Sequence, residues 1–535
     1  MATFEFDVTK DFAAAMNAGD PLAAYRERFH IPRTLGGGDC IYLSGHSLGL
    51  QPKSTRAYIE QELQDWEAFG VEGHFRARNP WLPYHETLAE STARLVGGLP
   101  GEVVVMNSLT VNLHLMLVTF YRPTAERNKI LIEPNAFPSD QYAVKSQLHY
   151  HGYDPGVSLL QIAPRPGETS LRTEDIEKRI QTEGGTIALV LLGGVNYFSG
   201  QAFECARIAN AAHSGGCVVG FDMAHAAGNL RLQLHDWNVD FAVWCSYKYL
   251  NAGPGAVAGC FVHERHVRNP TVPRFAGWWG HDKQNRFLMS PDFQAIPTAE
   301  GWQVSNPSIL SMAALRASME IFDEVGMGRL RAKSELLTGY LEFLLDQDQS
   351  GKFSIITPRN PAHRGAQLSL RLYRGGRAIC DALATQGVIC DWREPDILRV
   401  APVPLYNSFS DVFTFVEKFA LPFRGRHFFS ANQCERRAAE RTGLVCQPED
   451  DVKVVRFGSF ESGDAKPGRR HPRSISPALP LEFGRLVLAP RNDHRQPTAE
   501  RQPHGAQQFC VSTREAERRV NVGSNERLDV VNAAQ

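Results

Sequence analysis

The sequence predicts an α/β chain organised around a mainly parallel sheet, and three observations carry that prediction. Between about Pro100 and Cys260, short apolar runs alternate with amphipathic segments. After about Asn306 the pattern changes to long stretches with helical three-to-four spacing, followed by a smaller mixture of strands and helices. Beyond about Pro422 the composition shifts again, towards Arg, Pro, Gln, His and Ser. Apolar runs of four to eight residues, separated by helical segments, are what parallel strands need when crossover helices cover both faces of their sheet.

In chain order, IYLSGHSLGLQPK (41–53) and the helical YIEQELQDWEAFG (58–70) form an arm that must dock on something larger. The expected strands are VVVM (103–106), KILIE (129–133), TIALVLLGG (186–194), CVVGFD (217–222), DFAVWCS (240–246) and AVAGCFV (256–262). NLHLMLVTF reads as a helix with Thr110 just before it. LRTEDIEKRIQTEGG (171–185) sets Ile176 and Ile180 at helical spacing among charges and stops at two glycines, as a crossover helix does. Residues 308–347 predict one or two long helices, and QLSLRLY (367–373) with ILRVAP (397–402) supply strands of a small α+β domain. The expected organisation is an N-terminal arm that is part of the small domain (1–60), a large domain (61–310), a long helix with the C-terminal small domain (311–422) and an irregular tail (423–535). The stretch 421–535 holds 17 Arg and two Lys. It is read either as a functional basic tail or as out-of-frame translation of GC-rich coding sequence, and the second is preferred.

Composition excludes several classes of function. At 43% hydrophobic and 21% charged residues the chain is ordinary globular protein, and a net charge of -1 leaves no global basic field to draw it to nucleic acid or an anionic membrane. Ten cysteines without a C-x-x-C pair argue against a disulfide scaffold or structural zinc. The start MATFEFDVTKDF lacks the basic and apolar regions of a secretory signal, and no run approaches the ~18 apolar residues of a membrane span, so the expected location is the cytoplasm. No internal repeat is visible.

In an open parallel sheet ligands bind outside the carboxyl ends of the strands, so polar residues that close apolar runs are the first candidates. CVVGF ends in Asp222, FAVWCS in Tyr247 and Lys248, and VVVM leads to Thr110 at a helix start. Singly these have ordinary explanations: an exposed lysine, a strand-end aspartate, a capping threonine. Together they are what pyridoxal phosphate requires: a lysine to form the imine, a carboxylate to keep the pyridine nitrogen protonated, and a helix start for the phosphate. Asp222 and His225 lie at a D-x-x-H spacing that a metal could use, but two ligands without a third make a poor site, and no metal is expected.

Seven segments make the family specific: MNSLTVNLHL (106–115), NAFPSDQYA (135–143), GFDMAHAAGN (220–229), HDWNVDFAVWCSYKYLNAGPG (235–255), GWWGH (277–281), SNPSIL (305–310) and RVAPVPLYNSF (399–409). Together they resemble kynureninase, from about residue 5 to about 420. The resemblance implies the aspartate-aminotransferase-like fold of pyridoxal-phosphate enzymes, with a mainly parallel seven-stranded sheet in the large domain and a small α+β C-terminal domain. It implies hydrolysis of L-kynurenine, or its 3-hydroxy form, to anthranilate, or 3-hydroxyanthranilate, and L-alanine, a step of tryptophan breakdown or of a route toward NAD.

Residue by residue, the resemblance makes Lys248 the lysine bonded to pyridoxal 5'-phosphate and Asp222 the partner of the ring nitrogen. It places His225 and Tyr247 against the cofactor, Leu109 and Thr110 in the phosphate turn, Phe137 on the ring, and Pro138, Ser139 and Asp140 beside it. Tyr247 is also the candidate for proton transfer. Trp278 and Asn306 match positions that reach the cofactor from a second subunit, which implies a homodimer. Arg399 resembles the arginine that holds the substrate carboxylate, while His74, Ser47 and Ser305 match substrate positions. Two departures stand out: His46 in GHSLGL, where the family often has asparagine, and Gly193, where it can offer a serine. Two other readings compete. An aminotransferase or desulfurase-like lyase on the same scaffold would be exposed by its substrates, and a cofactor-free nucleic-acid binder by salt-dependent retention on nucleic acid.

Overall fold

The computed structural model describes residues 5–134 and 136–424, so the expected tail lies outside the described residues from position 425 onward. Helix α1 (Lys10–Ala18), capped by the Thr9 hydroxyl on the Phe12 amide, precedes strand β1 (Ile41–Tyr42) and α2 (Thr55–Phe69). Then β2 (Val103–Met106) leads into α3 (Leu109–Phe120), and β3 (Lys129–Ile132) into α4 (Pro138–Tyr150). They are followed by β4 (Leu159–Gln161), α5 (Thr173–Glu183), β5 (Ile187–Gly193) and α6 (Cys205–Ser214). The next strands are β6 (Val218–Asp222), β7 (Phe241–Trp244) and β8 (Ala258–Val262). Two long helices, α7 (Ile309–Val325) and α8 (Met327–Asp346), meet at Gly326, whose φ of 77° breaks the helical path. The C-terminal part holds β9 (Phe353–Ile355), β10 (Leu368–Leu372), α9 (Arg377–Thr385), β11 (Val388–Ile389), β12 (Asp391–Arg393), β13 (Ile397–Val400) and α10 (Phe409–Arg424).

All six predicted apolar runs are strands of one seven-stranded sheet, in the order β2-β8-β7-β6-β5-β3-β4. The seventh, β4, is a three-residue edge strand too short to announce itself. Its neighbour β3 pairs in parallel with both β4 and β5, and β5, β6 and β7 continue in parallel. The expectation of parallel strands needs one correction, since β8 runs antiparallel to both β7 and β2. Only about a dozen residues separate β7 from β8, which suits a reversal and leaves little room for a crossover helix.

Side chains alternate across this sheet as the pleat dictates. Along β2, Val103 and Val105 enter one hydrophobic core while Val104 and Met106 enter the other. In β7, Ala242 and Trp244 share the first core with Val190 and Leu192, and Phe241 and Val243 share the second with Leu189 and Leu191. Helices cover both sides, which is why these runs are apolar without a polar face. Trp244 fits because its cross-strand neighbour on β8 is Gly259, where any Cβ would fall on the indole.

A second sheet, in the order β12-β13-β10-β9, is antiparallel throughout and backs onto a core of Leu337, Leu341, Leu370, Leu398, Val400 and Phe415. Ala13, Ile41 and Leu43 from the N-terminal arm join the same core. β1 pairs in parallel with β11 through Ile41↔Val388 and Tyr42↔Ile389, and α1 packs on α10. The arm therefore docks on the C-terminal sheet, while α2 lies against α7.

The strand order positions the site. From β3 the chain moves outward to β4, then returns to the other side of β3 as β5 and proceeds to β6 and β7. The two crossovers leave in opposite directions, so a crevice opens at the carboxyl ends of β3 and β5.

Candidate active site

The crevice is a partly open cleft, and strand ends supply most of its wall. Glu133 follows β3, Gly193 ends β5, Asp222 ends β6, and Tyr247 with Lys248 follows β7. The starts of α3 and α4 add Leu109, Thr110, Phe137, Ser139 and Asp140, and His225 closes the turn after β6. Thus nine of the residues singled out in the sequence, Leu109, Thr110, Phe137, Ser139, Asp140, Asp222, His225, Tyr247 and Lys248, converge on one cavity.

One end of the cleft is built for an anion. The chain turns from β2 into α3 through Asn107 in the left-handed region at φ 49°. Helix α3 begins at Leu109, so Thr110 belongs to its first turn and does not precede it as expected, because Ser108 already serves as the N-cap. No side chain among the described residues caps that helix from Ser108, and its leading amides are free to meet a ligand. The Thr110 and Ser139 hydroxyls stand 2.7 Å apart across the start of α4, one donating to the other, and leave one hydroxyl proton for a ligand. Pro138 is the first residue of α4 and is exposed; it shapes the turn without lining the cleft.

The floor carries three carboxyl groups, all buried. Asp222 accepts the Ala224 amide at 2.7 Å. Burial raises the affinity of both Asp140 and Asp222 for protons, and the two share a hydrogen bond, so the pair retains a proton with Asp140 as its donor. Burial also pushes Glu133 up to about 7, with the nearby Asp222 charge adding to the effect; hydrogen bonds from its own backbone, the Gly193 amide and the Asn196 side chain oppose it. The Gly193 amide reaches both Glu133 oxygens at 3.3 Å. The Gly193 departure thereby finds an explanation: a Cβ there would come within 3.2 Å of the Glu133 carboxylate.

Lys248 faces this acid cluster. Its Nζ lies 3.0 Å from His225 Nε2 and 5.8 Å from the centre of the Phe137 ring. Burial, followed by the charges of Lys248 and Arg399, holds His225 well below the ordinary imidazole range, so Nε2 is an acceptor and the amine donates to it. Tyr197 packs edge-on against Phe137 with centroids 5.2 Å apart and closes the opposite wall. Tyr247 has its hydroxyl pushed up, by burial first and then by Cys245 and Asp222.

Behind Tyr197 sits Arg399, 1% exposed. Its Nη1 donates to the Tyr197 carbonyl at 2.7 Å and its Nη2 to Asp391 Oδ2 at 2.6 Å. His46 is fully buried 3.8 Å from the same carboxylate. Burial beside Arg399, Arg393 and Lys248 holds that imidazole well below its ordinary range, so the contact is not an ion pair. The loop that carries His46 and the half-buried Ser47 is tied to the site where the Gly49 amide donates to the Tyr247 carbonyl at 2.8 Å. Glycine is needed there because a Cβ would strike the Lys248 carbonyl and Asn251.

Other expected residues stand elsewhere in the single chain. Ser47 and Arg399 do not line the cleft. His74 bonds the Val71 carbonyl and packs edge-on against Trp81. Trp278 is 42% exposed, and Ser305 and Asn306 are exposed. The sequence reading missed Glu133, Tyr197 and Asp391. Glu133 closes the run KILIE and was open to the same strand-end argument that found Asp222.

Among the described residues, two groups of three histidine and carboxylate side chains close enough to share a metal lie away from the cleft. Glu102 meets His235 at 2.9 Å and His263 at 3.7 Å, but it already accepts the Leu99 and Glu264 amides. In the cluster of His85, Glu86 and Glu300, the Lys283 ammonium bridges the two carboxylates at 2.9 and 2.8 Å. Each is satisfied by protein donors.

The architecture has known counterparts. The chain superposes on a cysteine desulfurase from Thermococcus onnurineus NA1 with a TM-score of 0.61 at 18% identity, covering 72% of this chain and 95% of that one. A C-DES variant carrying glycine covalently linked to its PLP cofactor gives 0.60 at 16% identity, covering 74% and 98%. At such identities the likeness shows the fold, that of the pyridoxal-phosphate enzymes, as expected. Sequence similarity goes further. Residues 330–419 match the family model described as the kynureninase C-terminal domain. A kynureninase of Myxococcus xanthus is 60% identical over 77% of this chain and 97% of its own length. The kynureninase of Koribacter versatilis is 64% identical over 78% of this chain and 99% of its own. Relatives this similar, matched almost end to end on a chain whose cleft gathers the lysine, the acids and the hydroxyls, establish that it belongs to the kynureninase family.

Proposed function

We propose that this protein hydrolyses L-kynurenine, or its 3-hydroxy form, to anthranilate, or 3-hydroxyanthranilate, and L-alanine, using pyridoxal 5'-phosphate. The observation that carries the reading is the convergence of Lys248, the Asp140–Asp222 pair and the Thr110–Ser139 hydroxyls around one cleft. The residues fit the cofactor. An amine at one wall suits its aldehyde, a proton-holding acid pair suits its ring nitrogen, and an uncapped helix start with two hydroxyls suits its phosphate.

When bound, pyridoxal phosphate supplies an electron sink that permits breakage first of the substrate Cα–H bond and then of Cβ–Cγ. Lys248 Nζ removes the Cα proton, and neutral His225, accepting from that amine at 3.0 Å, fixes its direction. Asp222 and Asp140 hold a proton at the ring-nitrogen end of the site. Tyr247 follows the same strand end as Lys248 and moves a proton at the γ-carbonyl, where water adds, or at the β-carbon as it leaves. Arg399, its planar guanidinium oriented by Asp391 and the Tyr197 carbonyl, takes the α-carboxylate. Ser47, His74 and Ser305 are assigned to the substrate side and Trp278 and Asn306 to the cofactor of a neighbouring subunit.

That last assignment requires a homodimer. Its support is the apolar segment around Trp278, where Phe275, Phe287, Leu288 and Met289 are all more than half exposed. We also place the enzyme in the cytoplasm. Among the described residues the cysteines are free thiols, and no helix is long and apolar enough to cross a membrane.

Release of fluorescent anthranilate from L-kynurenine tests the reaction directly. The full chain with pyridoxal phosphate should release it, and Lys248→Ala should abolish release while leaving the fold intact. Residual turnover in that variant would remove Lys248 from its role.

A further inference from the structure

Among the described residues Cys40, Cys205, Cys217, Cys245 and Cys260 are buried, whereas Cys380 and Cys390 are only half-buried. These two face each other. Cys380 lies in the middle of α9 and Cys390 in the joint between β11 and β12, and their Sγ atoms are 3.7 Å apart. A disulfide needs about 2.05 Å, so closure asks for less than roughly 2 Å of movement between the sulfurs. The thiols are also unequal. A hydrogen bond from Cys390 lowers the pKa of Cys380, and the same bond, together with burial, raises that of Cys390. Cys380, the thiol whose pKa is lowered, is the readier of the two to attack a disulfide.

The pair sits next to the site. Cys390 is bonded directly to Asp391, whose Oδ2 accepts from Arg399 at 2.6 Å and from Arg393 at 3.0 Å. Asp391 and Arg399 are also opposite one another in the β12–β13 register. Any shift of Cys390 toward α9 acts on the residue that aims Arg399.

We propose that Cys380 and Cys390 form a thiol–disulfide modification site for a low-molecular-weight disulfide such as oxidised glutathione, and that closing it loosens the hold of Asp391 on Arg399. The Cys380 thiolate attacks one glutathione sulfur, forming a mixed disulfide and releasing one glutathione thiolate. Cys390, giving up its proton to solvent, then attacks the Cys380 sulfur and releases the second. Two protein thiols are oxidised and one glutathione disulfide is reduced to two thiols. The link to Arg399 rests on the reading of that residue as the substrate-carboxylate group; formation of the bond does not.

The full chain with its cofactor is equilibrated with graded ratios of reduced and oxidised glutathione, then divided between peptide mass mapping and kinetics with L-kynurenine. The expected product is a Cys380–Cys390 cross-linked peptide lacking two hydrogens, reversed by dithiothreitol and absent from both Cys380→Ser and Cys390→Ser. The oxidised enzyme should show KM raised at least about threefold with kcat changed less, as loss of a ground-state contact predicts; Cys380→Ser should ignore the oxidant, and Cys390→Ser, which lacks the resolving thiol, should stop at a glutathione adduct on Cys380. No cross-link at any ratio, or a stable glutathione adduct in its place, overturns the site. A cross-link with unchanged KM overturns its connection to Arg399. Absence of turnover even in the reduced enzyme would sink the reading of Arg399 and that connection with it, while the mass of the peptide still decides the bond.

Discussion

Glu133 shows how a residue's chemistry is set by what surrounds it. On a solvated loop it would be an ordinary carboxylate, but at the end of β3 it is buried beside Asp222 and binds its proton up to about pH 7. In that case the native state holds a proton that the unfolded chain releases near pH 4.5, so stability falls as pH rises from 4.5 through about 7. The interval corresponds to roughly 3 kcal/mol. Glu133→Gln should remove most of that slope, and urea unfolding of both proteins across this pH range measures the difference. Equal slopes would show that Glu133 is ionised throughout. The strand-end argument reached Asp222 and Lys248 because each terminates an unmistakable apolar run. Glu133 satisfied the same rule, yet its importance depends on β3 and β5 being neighbours, which is a fact of strand order that local sequence does not contain.

At the scale of elements, all six apolar runs became strands, since a run buried on both faces carries its own signature. The short strands β1, β9 and β11 did not, because two or three residues yield no periodicity. The direction of β8 was equally hidden, as an antiparallel strand covered on both sides has the same apolar content as a parallel one. Two substitutions test how the sheet is held. Gly259→Ala in β8 should cost about 1–3 kcal/mol by forcing its new methyl against Trp244; thermal unfolding no lower than wild type would mean that the indole moves aside. Asp240, just before β7, anchors another junction: its carboxylate accepts from the Val219 amide at 2.8 Å, His213 at 2.9 Å, His266 at 2.7 Å and Arg265 at 2.5 Å. Burial alone would raise its pKa, but these donors outweigh burial and hold it far below the carboxylate range. Its stabilisation is therefore present above pH 3.8 and is lost only as pH falls towards the folded value. Asp240→Ala should cost about 3–5 kcal/mol at neutral pH, with a smaller difference in strong acid; denaturant titrations at the two pH values check both claims.

For the whole molecule, the legible and illegible parts divide by what one chain contains. The cleft is made by one chain, and its nine converging residues could be named from motifs. Trp278, Ser305 and Asn306 are exposed outside that cleft, and Trp278 packs only locally, on Trp279 and Phe287; a single chain leaves their assigned roles without a place. The proposed dimer would supply one, and complementation tests it. Lys248→Ala and Asn306→Ala chains, each impaired alone, should regain roughly a quarter of wild-type activity when mixed and re-associated, because half the dimers then hold one intact site. No gain on mixing would place both residues in the same subunit's site. The sheet order also has a consequence for the chain as it is made. β2 finds its partner only in β8, with Val103 opposite Phe261. At synthesis rates of about 5–20 residues per second, the hydrophobic segment VVVM waits on the order of ten seconds for its partner. Throughout that interval the strand leading into the turn at the start of α3 lacks its neighbour in the sheet, so the phosphate end of the cleft is completed late in synthesis.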